Sequence, residues 1–537
     1  MAATTTTYGA GRRMSEEKKV IFASSLGTIL EWYDFYLYAT LAPFFAALFF
    51  PRGNETAALL SAFAAYAAGF LIRPLGALVF GRVGDLAGRK YTFLLAILVM
   101  GFSTFAIGLL PTYDKIGWGA PILLVLLRLV QGLAIGGEYG GAATYVAEHA
   151  PNDRRGFDTS WIQITATLGF LLSLAVIGAC RVYMEPAVFS SWGWRVPFLV
   201  SLLLLIFSIY IRLKLGESPI FLRMLSEGKG SKAPLTDSFL RYPNNKVVVL
   251  ALLGATAGQG VVWYTGHFYA LFFLTITMKV DFVSAYTLIG ASLLLGTPFF
   301  VFFGWLSDRI GRLKIILAGC LIASLTYFPL FEALTHYVNP ALETYAADHP
   351  VTIAANDCNL HVFVGPWSKF SDCDRARDFM TRSGLSFLSS PLPDDALEHI
   401  VIGVGADHAM TGWNEAEFRK ILVDSGYPET ADKAQINWGM ALLILFVLLL
   451  FVTMVYGPIA AFLVELFPTR IRYTSVSFPY HIGSGWFGGM LPLIATALVA
   501  WSGNVYYGLW YPIVVAVTTV VIGALFLREN KDRTIEP

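Results

Sequence analysis

Several ionisable residues stand inside long apolar stretches of the chain, among them Glu31, Asp34, Arg73, Arg128 and Glu138. A lone charge costs several kcal/mol in lipid unless it is paired or wetted, so such residues are functional candidates by default. Arginines in this setting would bind an anionic solute, and carboxylates would carry protons. The sequence contains no zinc-protease or nucleophile-elbow pattern, so we expect neither an enzyme nor a metal site.

Glu31 and Asp34 are three positions apart, which puts both side chains on one face of a helix. Two carboxylates in one poorly solvated site cannot both ionise at low cost, so one of them should hold a proton near physiological pH. We therefore predict that this pair takes up and releases the coupled proton of the protein's function. The alternative is that one of the two only balances the charge of Arg128.

The two arginines are predicted to bind substrate. A helical rise of about 1.5 Å per residue puts Arg73 about 12 Å and Arg128 about 28 Å above the same side of the membrane. Gln131 lies one turn from Arg128 and could offer an amide to the same ligand. Glu138 lies at the depth of Arg73 and is predicted to neutralise it. The structural alternatives are a static Arg73–Glu138 pair and an Arg128 that only partners Asp34.

Composition indicates the elements that position these residues. Hydrophobic residues make up 56% of the 537-residue chain and charged residues only 14%, against roughly a quarter charged in soluble domains. Apolar runs longer than the roughly 20 residues that cross a bilayer recur throughout. A net charge of +1 gives no reason to expect a nucleic-acid partner. We predict an all-α polytopic membrane protein with twelve transmembrane spans, near 20–45, 57–80, 91–110, 120–147, 159–181, 194–213, 247–275, 283–303, 314–333, 437–463, 475–500 and 505–527.

The distribution of Lys and Arg predicts the orientation. The two termini and the connections after spans 2, 4, 6, 8 and 10 carry 24 of the 38 Lys and Arg residues, whereas the short connections on the other side carry five. Short loops rich in Lys and Arg face the cytoplasm. We therefore predict a multi-pass protein of the inner or plasma membrane, with both termini cytoplasmic.

Two similar loops occur once in each half of the chain, with their matching positions at a constant spacing. They are "GRVGDLAGRK" after span 2, with Gly81, Asp85, Gly88, Arg89 and Lys90, and "GWLSDRIGRLK" after span 8, with Gly304, Asp308, Arg309, Gly311 and Arg312. We predict that they form a cytoplasmic gate. Each aspartate lies near the start of the next span, where free helix amides favour an anion. The arginines could bridge to acids such as Glu148. The alternative, that the basic residues only set topology, does not explain the recurrent Gly and Asp.

A second repeat defines the domains. Glu148 to Pro151 after span 4 matches Glu465 to Pro468 after span 10, and the wider spacing of this pair indicates an insertion in the second half. We predict an N-terminal six-helix bundle (1–213), a cytoplasmic linker (214–246), helices 7–9 of a C-terminal bundle (247–334), an insertion (335–436) and helices 10–12 (437–537). Two parallel repeats around a central site are a transporter arrangement.

Six sequence blocks carry a family resemblance: "EWYDFYLY", "RPLGALVFGRVGD", "RLVQGLAIGGEYGGA", "GWRVPFL", "ESPIF" and "ELFPTRIRYT". With the twelve spans and the repeated loop, they resemble the metabolite:proton symporter family of the major facilitator superfamily. The resemblance covers nearly all of the chain except the insertion. It implies proton-coupled uptake of a small polar metabolite, usually a carboxylate, by alternating access, with the proton gradient and no cofactor. The second loop departs from the family in having Leu313 before Lys314, where a doubled basic pair is usual.

The second half offers fewer ionisable groups. Gln259 and Tyr264 on span 7 are predicted to form polar walls of the substrate cavity. His267 could titrate usefully, but a histidine among aromatic residues is also a common packing residue.

The insertion is predicted to be a small α/β domain on the non-cytoplasmic side. It holds 15 Asp and Glu residues against seven Lys and Arg. "HVFVG" and "HIVIGVG" are typical of short strands, and "SDCDRARDFMTR" and "NEAEFRKILVDSGYPE" of helices with capping-box spacing. Cys358 and Cys373 are predicted to form a disulfide, because an exported segment of a bacterial envelope is not kept reduced. The alternative is two unpaired cysteines in a loop.

These features favour a proton-coupled symporter that imports a small organic carboxylate. Its partners would be the substrate, protons and the bilayer, and it would function as a monomer. One rival is a proline- or betaine-type carrier, in which the span 1 acids bind the cationic end of a zwitterion. Another rival is a transporter-like receptor that senses a ligand through the acidic insertion. Flux in response to a pH gradient would separate the carriers from the receptor.

Overall fold

The computed structural model of the chain describes residues 25, 28–29, 32–51, 55–87, 89–137, 139–213, 219–228, 230–361, 368–393, 399–531 and 535. Glu31, Gly88 and Glu138 lie outside the described residues, as do the side chains of Arg89 and Lys90. The predictions made for these groups therefore stay predictions.

Ten helices in the described part of the chain are long and apolar enough to cross a membrane. They coincide with ten predicted spans, whose numbers we keep: span 2 (Glu55–Leu86), span 4 (Gly119–His149), span 5 (Arg155–Tyr183), span 6 (Gly193–Tyr210), span 7 (Asn244–Thr277), span 8 (Phe282–Ile310), span 9 (Arg312–Val338), span 10 (Trp438–Leu466), span 11 (Thr469–Ser502) and span 12 (Tyr507–Phe526). Predicted span 1 is described as a helix over 32–49. Predicted span 3 forms the helix Arg89–Leu109, whose apolar part, Leu94–Leu109, is shorter than the other ten.

Several spans are divided into two helices or contain π-helical segments. Span 2 is divided into Glu55–Leu71 and Arg73–Ala87, span 4 into Gly119–Ile135 and Tyr139–His149, and span 10 into Trp438–Tyr456 and Ile459–Leu466. Spans 7 and 11 contain π-helical segments at Leu252–Thr256, Thr265–Tyr269, Phe273–Thr277 and Ile482–Gly489. Short helices connect the spans at Tyr113–Ile116, Pro186–Ser191, Pro219–Ser226 and Pro234–Phe239. Interruptions of this kind are frequent at functional sites.

Glycine lets spans 2 and 4 approach closely. A Cβ atom at Gly132 would lie 1.8 Å from the carbonyl oxygen of Gly69, and one at Gly136 would lie 2.2 Å from the carbonyl oxygen of Arg73. No larger residue fits at either position without moving a helix backbone. This packing holds the segment that carries Arg73 against span 4.

The two halves meet along matching pairs of helices. Span 2 packs against span 11, and span 5 packs against span 8. Spans 2 and 8 occupy the same position in their respective repeats, and so do spans 5 and 11. The contact is therefore repeated by an approximate two-fold relation, as expected for parallel repeats. The domain boundaries themselves stay predictions.

The segment between spans 9 and 10 contains a four-stranded sheet in the order β2-β1-β3-β4. The strands are β1 (Val351–Ala355), β2 (Phe387–Ser390), β3 (Ile400–Val404) and β4 (His408–Thr411), and the helices are α1 (Pro340–Asp348), α2 (Asp372–Arg382) and α3 (Glu415–Asp424). β1 pairs parallel with β2 and antiparallel with β3, which pairs antiparallel with β4. Ser371 and Asp374 form a capping box at the start of α2.

The predicted helices and the strand "HIVIGVG" coincide with α2, α3 and β3. Most of "HVFVG" lies outside the described residues. Strands β1, β2 and β4 were not predicted from the sequence; β2 and β4 have only four residues each, whereas β1, with five, is as long as the predicted β3. The structure joins Cys358 and Cys373 by a disulfide with the two Cα atoms 5.1 Å apart, which lies within the range that a bridge needs.

Candidate functional site

A cavity lies between the two halves. Its lining from the first half includes Trp32, Phe35 and Arg73. The second half contributes Tyr480 and His481, which both belong to span 11. A cavity at the junction of two repeats is where a transporter places its substrate.

Arg73 is the cation of this cavity. Its side chain is buried, with the residue only 1% exposed, and its guanidinium lies 4.1 Å from the ring centroid of Phe70 and 4.5 Å from that of Phe35. The Nε and Nη2 atoms make no hydrogen bond to any described residue. Aromatic faces stabilise the charge in part, but the unused donors remain available to an anion.

Two tyrosines from opposite halves close one wall of the cavity. The rings of Tyr139 and Tyr480 stack with centroids 3.4 Å apart and planes 7° apart. Gln163 donates to the Tyr139 hydroxyl at 2.8 Å, and the hydroxyls of Tyr456 and Tyr480 are 3.0 Å apart. The stack must separate if the halves move apart. Both ring nitrogens of the neighbouring His481 lack hydrogen-bond partners within the described chain.

The described contacts of Arg128 are with aromatic rings and with Gln131. Its guanidinium lies over Tyr38 at 4.5 Å and Phe35 at 5.5 Å, and it donates to the side chain of Gln131. Gln131 in turn donates to Thr104 at 2.8 Å. Neither Arg128 nor Gln131 belongs to the described lining of the cavity. The guanidinium groups of both arginines lie over the ring of Phe35, and the substrate contacts predicted for Arg128 and Gln131 stay predictions.

Asp34 was expected to lie within reach of Arg128. It is buried, but its Oδ1 atom has no hydrogen-bond partner among the described residues. Arg128 contacts the rings of span 1 rather than this carboxylate. The partner role proposed for Asp34 is therefore not seen in the described structure, and its proton role stays a prediction together with that of Glu31.

The polar residues predicted as cavity walls on span 7 are packed against their neighbours. Gln259 accepts a hydrogen bond from Ser484 at 3.0 Å, and Tyr264 packs edge-on against Phe70. His267 bonds through Nδ1 to the carbonyl oxygen of Trp263 at 2.9 Å and stacks on its ring. Neither Gln259 nor Tyr264 is part of the described cavity lining. Their substrate contacts stay predictions.

The end of the bundle that carries the loops 81–90 and 304–314 is called the loop end. Here Asp85 accepts hydrogen bonds from the backbone N–H and hydroxyl of Thr474, at 3.3 and 2.8 Å, at the start of the span 11 helix. Asp308 accepts from the backbone N–H groups of Gly156 and Phe157, at 2.8 and 2.9 Å, at the start of span 5. For both aspartates these described amides belong to the opposite half, and the contacts predicted at the starts of spans 3 and 9 stay predictions.

Glu465 binds two buried arginines at the loop end. Arg155 Nη1 lies 2.6 Å from one carboxylate oxygen, and Arg312 contributes a two-pronged contact at 2.6 and 2.7 Å. Arg312 also pairs with Asp308 at 2.8 Å. Glu465 and Arg312 belong to the second half and Arg155 to the first, so this network crosses between halves. Paired Arg–carboxylate contacts of this geometry are among the strongest in proteins.

The equivalent contact in the other repeat joins Glu148 to Arg472 at 3.1 Å. Arg472 is thus a described partner of Glu148 that was not predicted, and the predicted contact of Glu148 with Arg89, whose side chain lies outside the described residues, stays a prediction. Arg155 and Arg472 were missed, although a signal exists. The repeated Glu-x-x-Pro motif extends to Glu-x-x-Pro-x-x-x-Arg in both halves, ending at Arg155 and at Arg472.

Three further residues of the second loop, Gly304, Arg309 and Gly311, have packing or backbone roles. Arg309 stacks on Trp305 of its own span at 3.9 Å and forms no ion pair within the described chain. Gly311 has φ +116°, a conformation that favours glycine. A Cβ atom at Gly304 would lie 2.4 Å from that of Ser160. The glycine therefore permits the close packing of spans 5 and 8.

The opposite end, called the insertion end, is bridged by α2. The Asp378 carboxylate accepts from the backbone N–H groups of Glu55 and Thr56, at 3.3 and 2.5 Å, at the start of span 2. Arg382 pairs with Glu55 at 2.9 Å. Arg377 donates to the carbonyl oxygens at positions 500 and 501 near the end of span 11, at 3.1 and 2.6 Å. The insertion thus contacts both halves.

Known proteins share the sequence features of this arrangement. Residues 19–245 match the family described as sugar (and other) transporter. The shikimate transporter of Escherichia coli strain K12 is 37% identical over 327 residues, 60% of this chain and 73% of that protein. The alpha-ketoglutarate permease of the same strain is 37% identical over 344 residues, 63% of this chain and 78% of that protein. A Haemophilus influenzae protein named as a metabolite transport protein is 32% identical over 527 residues, 96% of this chain and 95% of that one.

Solved structures share the fold. The proton:xylose symporter XylE matches with a TM-score of 0.64 at 15% identity, covering 97% of this chain and 98% of that one. Fold, cavity and relatives define a membrane transporter and not an enzyme. The chain belongs to the major facilitator superfamily and, within it, to the metabolite:proton symporter family.

Proposed function

We propose that the chain is a proton-coupled symporter that imports a small organic carboxylate by alternating access, as a monomer and without a cofactor. The observation that carries this proposal is Arg73, a buried cation in the cavity between the halves with two donors that no described residue uses. A substrate carboxylate would accept charge-assisted hydrogen bonds there. The relatives named for shikimate and alpha-ketoglutarate, both carboxylic acids, support this choice.

The orientation is part of the proposal. Twelve spans with a cytoplasmic loop end and an extracytoplasmic insertion agree with the excess of Lys and Arg in the loop-end connections. The insertion packs at the end opposite the repeated loops. Nine spans are proposed to precede it, and an odd number of spans places a segment on the side of the membrane opposite to the N-terminus.

Alternating access requires that contacts at the two ends break in turn. The Glu465 and Glu148 networks join the halves at the loop end, and α2 joins them at the insertion end. Entry of a substrate from outside would separate the α2 contacts, and its release inside would separate the ion pairs. The Tyr139–Tyr480 stack lies between these two sets of contacts.

Asp34 is proposed to carry the coupled proton, with Glu31 on the same helix face. Burial favours the neutral form of a carboxylate, and the Oδ1 atom of Asp34 has no described hydrogen-bond partner. The carboxylate can therefore take up a proton without first losing an ion pair with Arg128.

A zwitterion is a second candidate substrate. Trp32, Phe35, Tyr139 and Tyr480 give the cavity an aromatic lining beside Arg73. Aromatic faces attract quaternary and other ammonium groups, and Arg73 would bind the carboxylate of the same molecule. A transporter-like receptor, the remaining rival, would bind such ligands without carrying them.

Uptake into proteoliposomes with an imposed pH gradient tests the proposal. A panel of labelled mono-, di- and tricarboxylates is compared with proline and betaine, for the natural chain and for Arg73→Gln, Arg73→Lys and Arg128→Gln. We expect Arg73→Gln to weaken substrate affinity about 10- to 100-fold, Arg73→Lys to recover part of it, and Arg128→Gln to change it less. Asp34→Asn should retain exchange but lose accumulation driven by the gradient.

Three outcomes would contradict parts of the proposal. Unchanged affinity in Arg73→Gln removes this residue from the substrate site and returns Arg128 to first place. Gradient-driven accumulation in Asp34→Asn moves the proton to another group, with Glu31 next. Ligand binding without any flux favours the receptor.

A further inference from the structure

His481 lines the central cavity from the half opposite to Arg73. Arg73 belongs to span 2 and His481 to span 11, and both residues are part of the lining of this one cavity. His481 is fully buried, and neither of its ring nitrogens has a hydrogen-bond partner among the residues that the structure describes. A buried polar group without a partner is costly. A ligand in the cavity that hydrogen-bonds to the imidazole would remove this cost.

His267 on span 7 is a buried histidine with a packing role, and it differs from His481 in its contacts. Its Nδ1 atom bonds to the carbonyl oxygen of Trp263, and its ring stacks on the Trp263 ring with the centroids 4.3 Å apart. It is not part of the described cavity lining. The ring of His481 instead lies edge-on to that of Tyr480, with centroids 5.3 Å and planes 79° apart. Packing therefore leaves the two nitrogens of His481 without a described partner beside the cavity.

The backbone on both sides of His481 is held by span 7. The hydroxyl of Thr256 donates to the carbonyl oxygen of Pro479 at 2.8 Å. A Cβ atom at Gly483 would lie 2.4 Å from the Thr256 hydroxyl oxygen, and one at Gly260 would lie 2.4 Å from the carbonyl oxygen of Gly483. The two spans are therefore in close backbone contact next to the histidine. Such support keeps a side chain in a fixed position for a ligand.

Arg73 and His481 both lie where a span is interrupted. Arg73 is the first residue of the helix Arg73–Ala87, and His481 is the last residue of the helix Arg472–His481, which the π-helical segment Ile482–Gly489 follows. The helices that begin at Arg73 and end at His481 pack against each other. Helix irregularities of this kind are frequent at functional sites. The cation of one half and the imidazole of the other therefore line one cavity from two interrupted spans.

We propose that His481 is the substrate-binding residue of the second half, and that the substrate is a carboxylate with a second hydrogen-bonding group, either a hydroxyl or another carboxylate. Arg73 would bind the first carboxylate, and His481 would bind the second group. A neutral imidazole has one N–H donor and one acceptor nitrogen, so it can bind both kinds of group. The trimethylammonium group of betaine offers it no hydrogen bond. This inference rests on the proposed function and narrows the class of substrate.

Isothermal titration of the full chain in nanodiscs tests the inference with three probes of equal carbon-chain length: butyrate, 3-hydroxybutyrate and succinate. The natural chain should bind the hydroxylated and the dicarboxylate probe about tenfold more tightly than butyrate. His481→Leu has no hydrogen-bonding group in its side chain, so it should remove most of this preference with little change for butyrate. His481→Gln retains an amide and should recover part of the preference. His267→Leu, a buried histidine replaced outside the described cavity lining, is the matched control and should leave the preference unchanged.

Two results would overturn the inference. One is a natural chain that binds 3-hydroxybutyrate and succinate no more tightly than butyrate, and this comparison decides the matter even if His481→Leu does not fold. The other is an unchanged preference in His481→Leu. Arg73→Gln separates this inference from the proposed function. Loss of binding of all three probes in Arg73→Gln, with the preference unchanged in His481→Leu, overturns only the role of His481, whereas unchanged binding in Arg73→Gln overturns the proposed carboxylate site itself.

Discussion

The two ends of the bundle are joined by different kinds of contact. At the loop end, Glu465 and Glu148 pair with arginines across the halves, and the paired side chains are at most 2% exposed. At the insertion end, the side chains of the Arg382–Glu55 ion pair are 25% and 73% exposed. An exposed pair contributes about 0–1 kcal/mol, whereas removing one partner of a buried pair costs about 3–5 kcal/mol. We infer that the loop end is the stiffer closure.

The difference follows from how each end is built. The loop end is built twice, once by each repeat, so that Asp85 and Asp308 cap helices of opposite halves and the two glutamates pair in the same way. The insertion end is built once, because the inserted segment occurs only in the second half. One device is shared: Asp378 caps the start of span 2 as the loop aspartates cap spans 11 and 5. The repeated contacts are symmetric, and the inserted contact is not.

Glu465→Gln should have the largest effect on the contacts between the halves. It leaves Arg155 and Arg312 buried without their shared carboxylate, which should cost about 3–5 kcal/mol of the contact between halves. Hydrogen exchange measured by mass spectrometry should show faster exchange of loop-end amides near 148–160 and 465–475, and uptake should fall. Glu529→Gln, at the loop end but without a described contact to the first half, serves as the control. Unchanged loop-end protection in Glu465→Gln would show that the ion pairs do not hold this end closed.

Asp308→Asn should have the next largest effect. It keeps one oxygen that can accept from a span 5 amide but loses the charge that pairs with Arg312. Loss of a helix-capping carboxylate costs about 0.5–2 kcal/mol. The amides of Gly156 and Phe157 should exchange faster, whereas protection near Thr474, which Asp85 caps, should change less. Equally faster exchange at both sites would mean that the Asp308 contact and the Asp85 contact open together.

Glu55→Gln should have a smaller effect, at the other end. It removes the exposed pair with Arg382 but retains the backbone contacts of Asp378. We expect a loss of at most about 1 kcal/mol, seen as slightly faster exchange at the start of span 2 with loop-end protection unchanged. A loss as large as that of Glu465→Gln would contradict the inference that the insertion end is the weaker closure.

The sequence predicted where the spans and loops lie along the chain better than which distant residues contact each other. Spans 2 and 8 and their loops follow from apolar run length and a repeated motif, since both are local properties. The partners of Asp85 and Asp308 are not local, because the amides they bind are 389 and 152 positions away, in the opposite half.

The site illustrates the same limit. Counting about 1.5 Å of rise per residue places a Cα atom along a helix axis, but not the end of a long side chain. Arg73 and Arg128 were estimated to lie far apart in depth, yet both guanidinium groups lie over the ring of Phe35. Which side chain lines a cavity depends on the rotation of each helix about its own axis. Apolar patterns define that rotation poorly when a helix is apolar on all sides.

Reduction of the Cys358–Cys373 disulfide should have the smallest effect on the contacts between the halves. The bridge joins the segment before α2 to its first turn, and closing a loop of about 15 residues contributes about 3 kcal/mol to the stability of the closed segment. That stability is local to the insertion, while the contacts of Asp378 and Arg382 lie at the far end of α2. Cys358→Ser should therefore speed amide exchange in β1 and the first turn of α2, leave the loop end unchanged, and alter uptake little. Mass spectrometry of peptides digested without reductant establishes the bridge in the natural chain, and free, alkylatable thiols at both positions would contradict it. If Cys358→Ser instead loosened the start of span 2 as much as Glu55→Gln does, α2 would act as a rigid lever between the disulfide and the bundle, and the insertion end would be a stiffer closure than its exposed ion pair indicates.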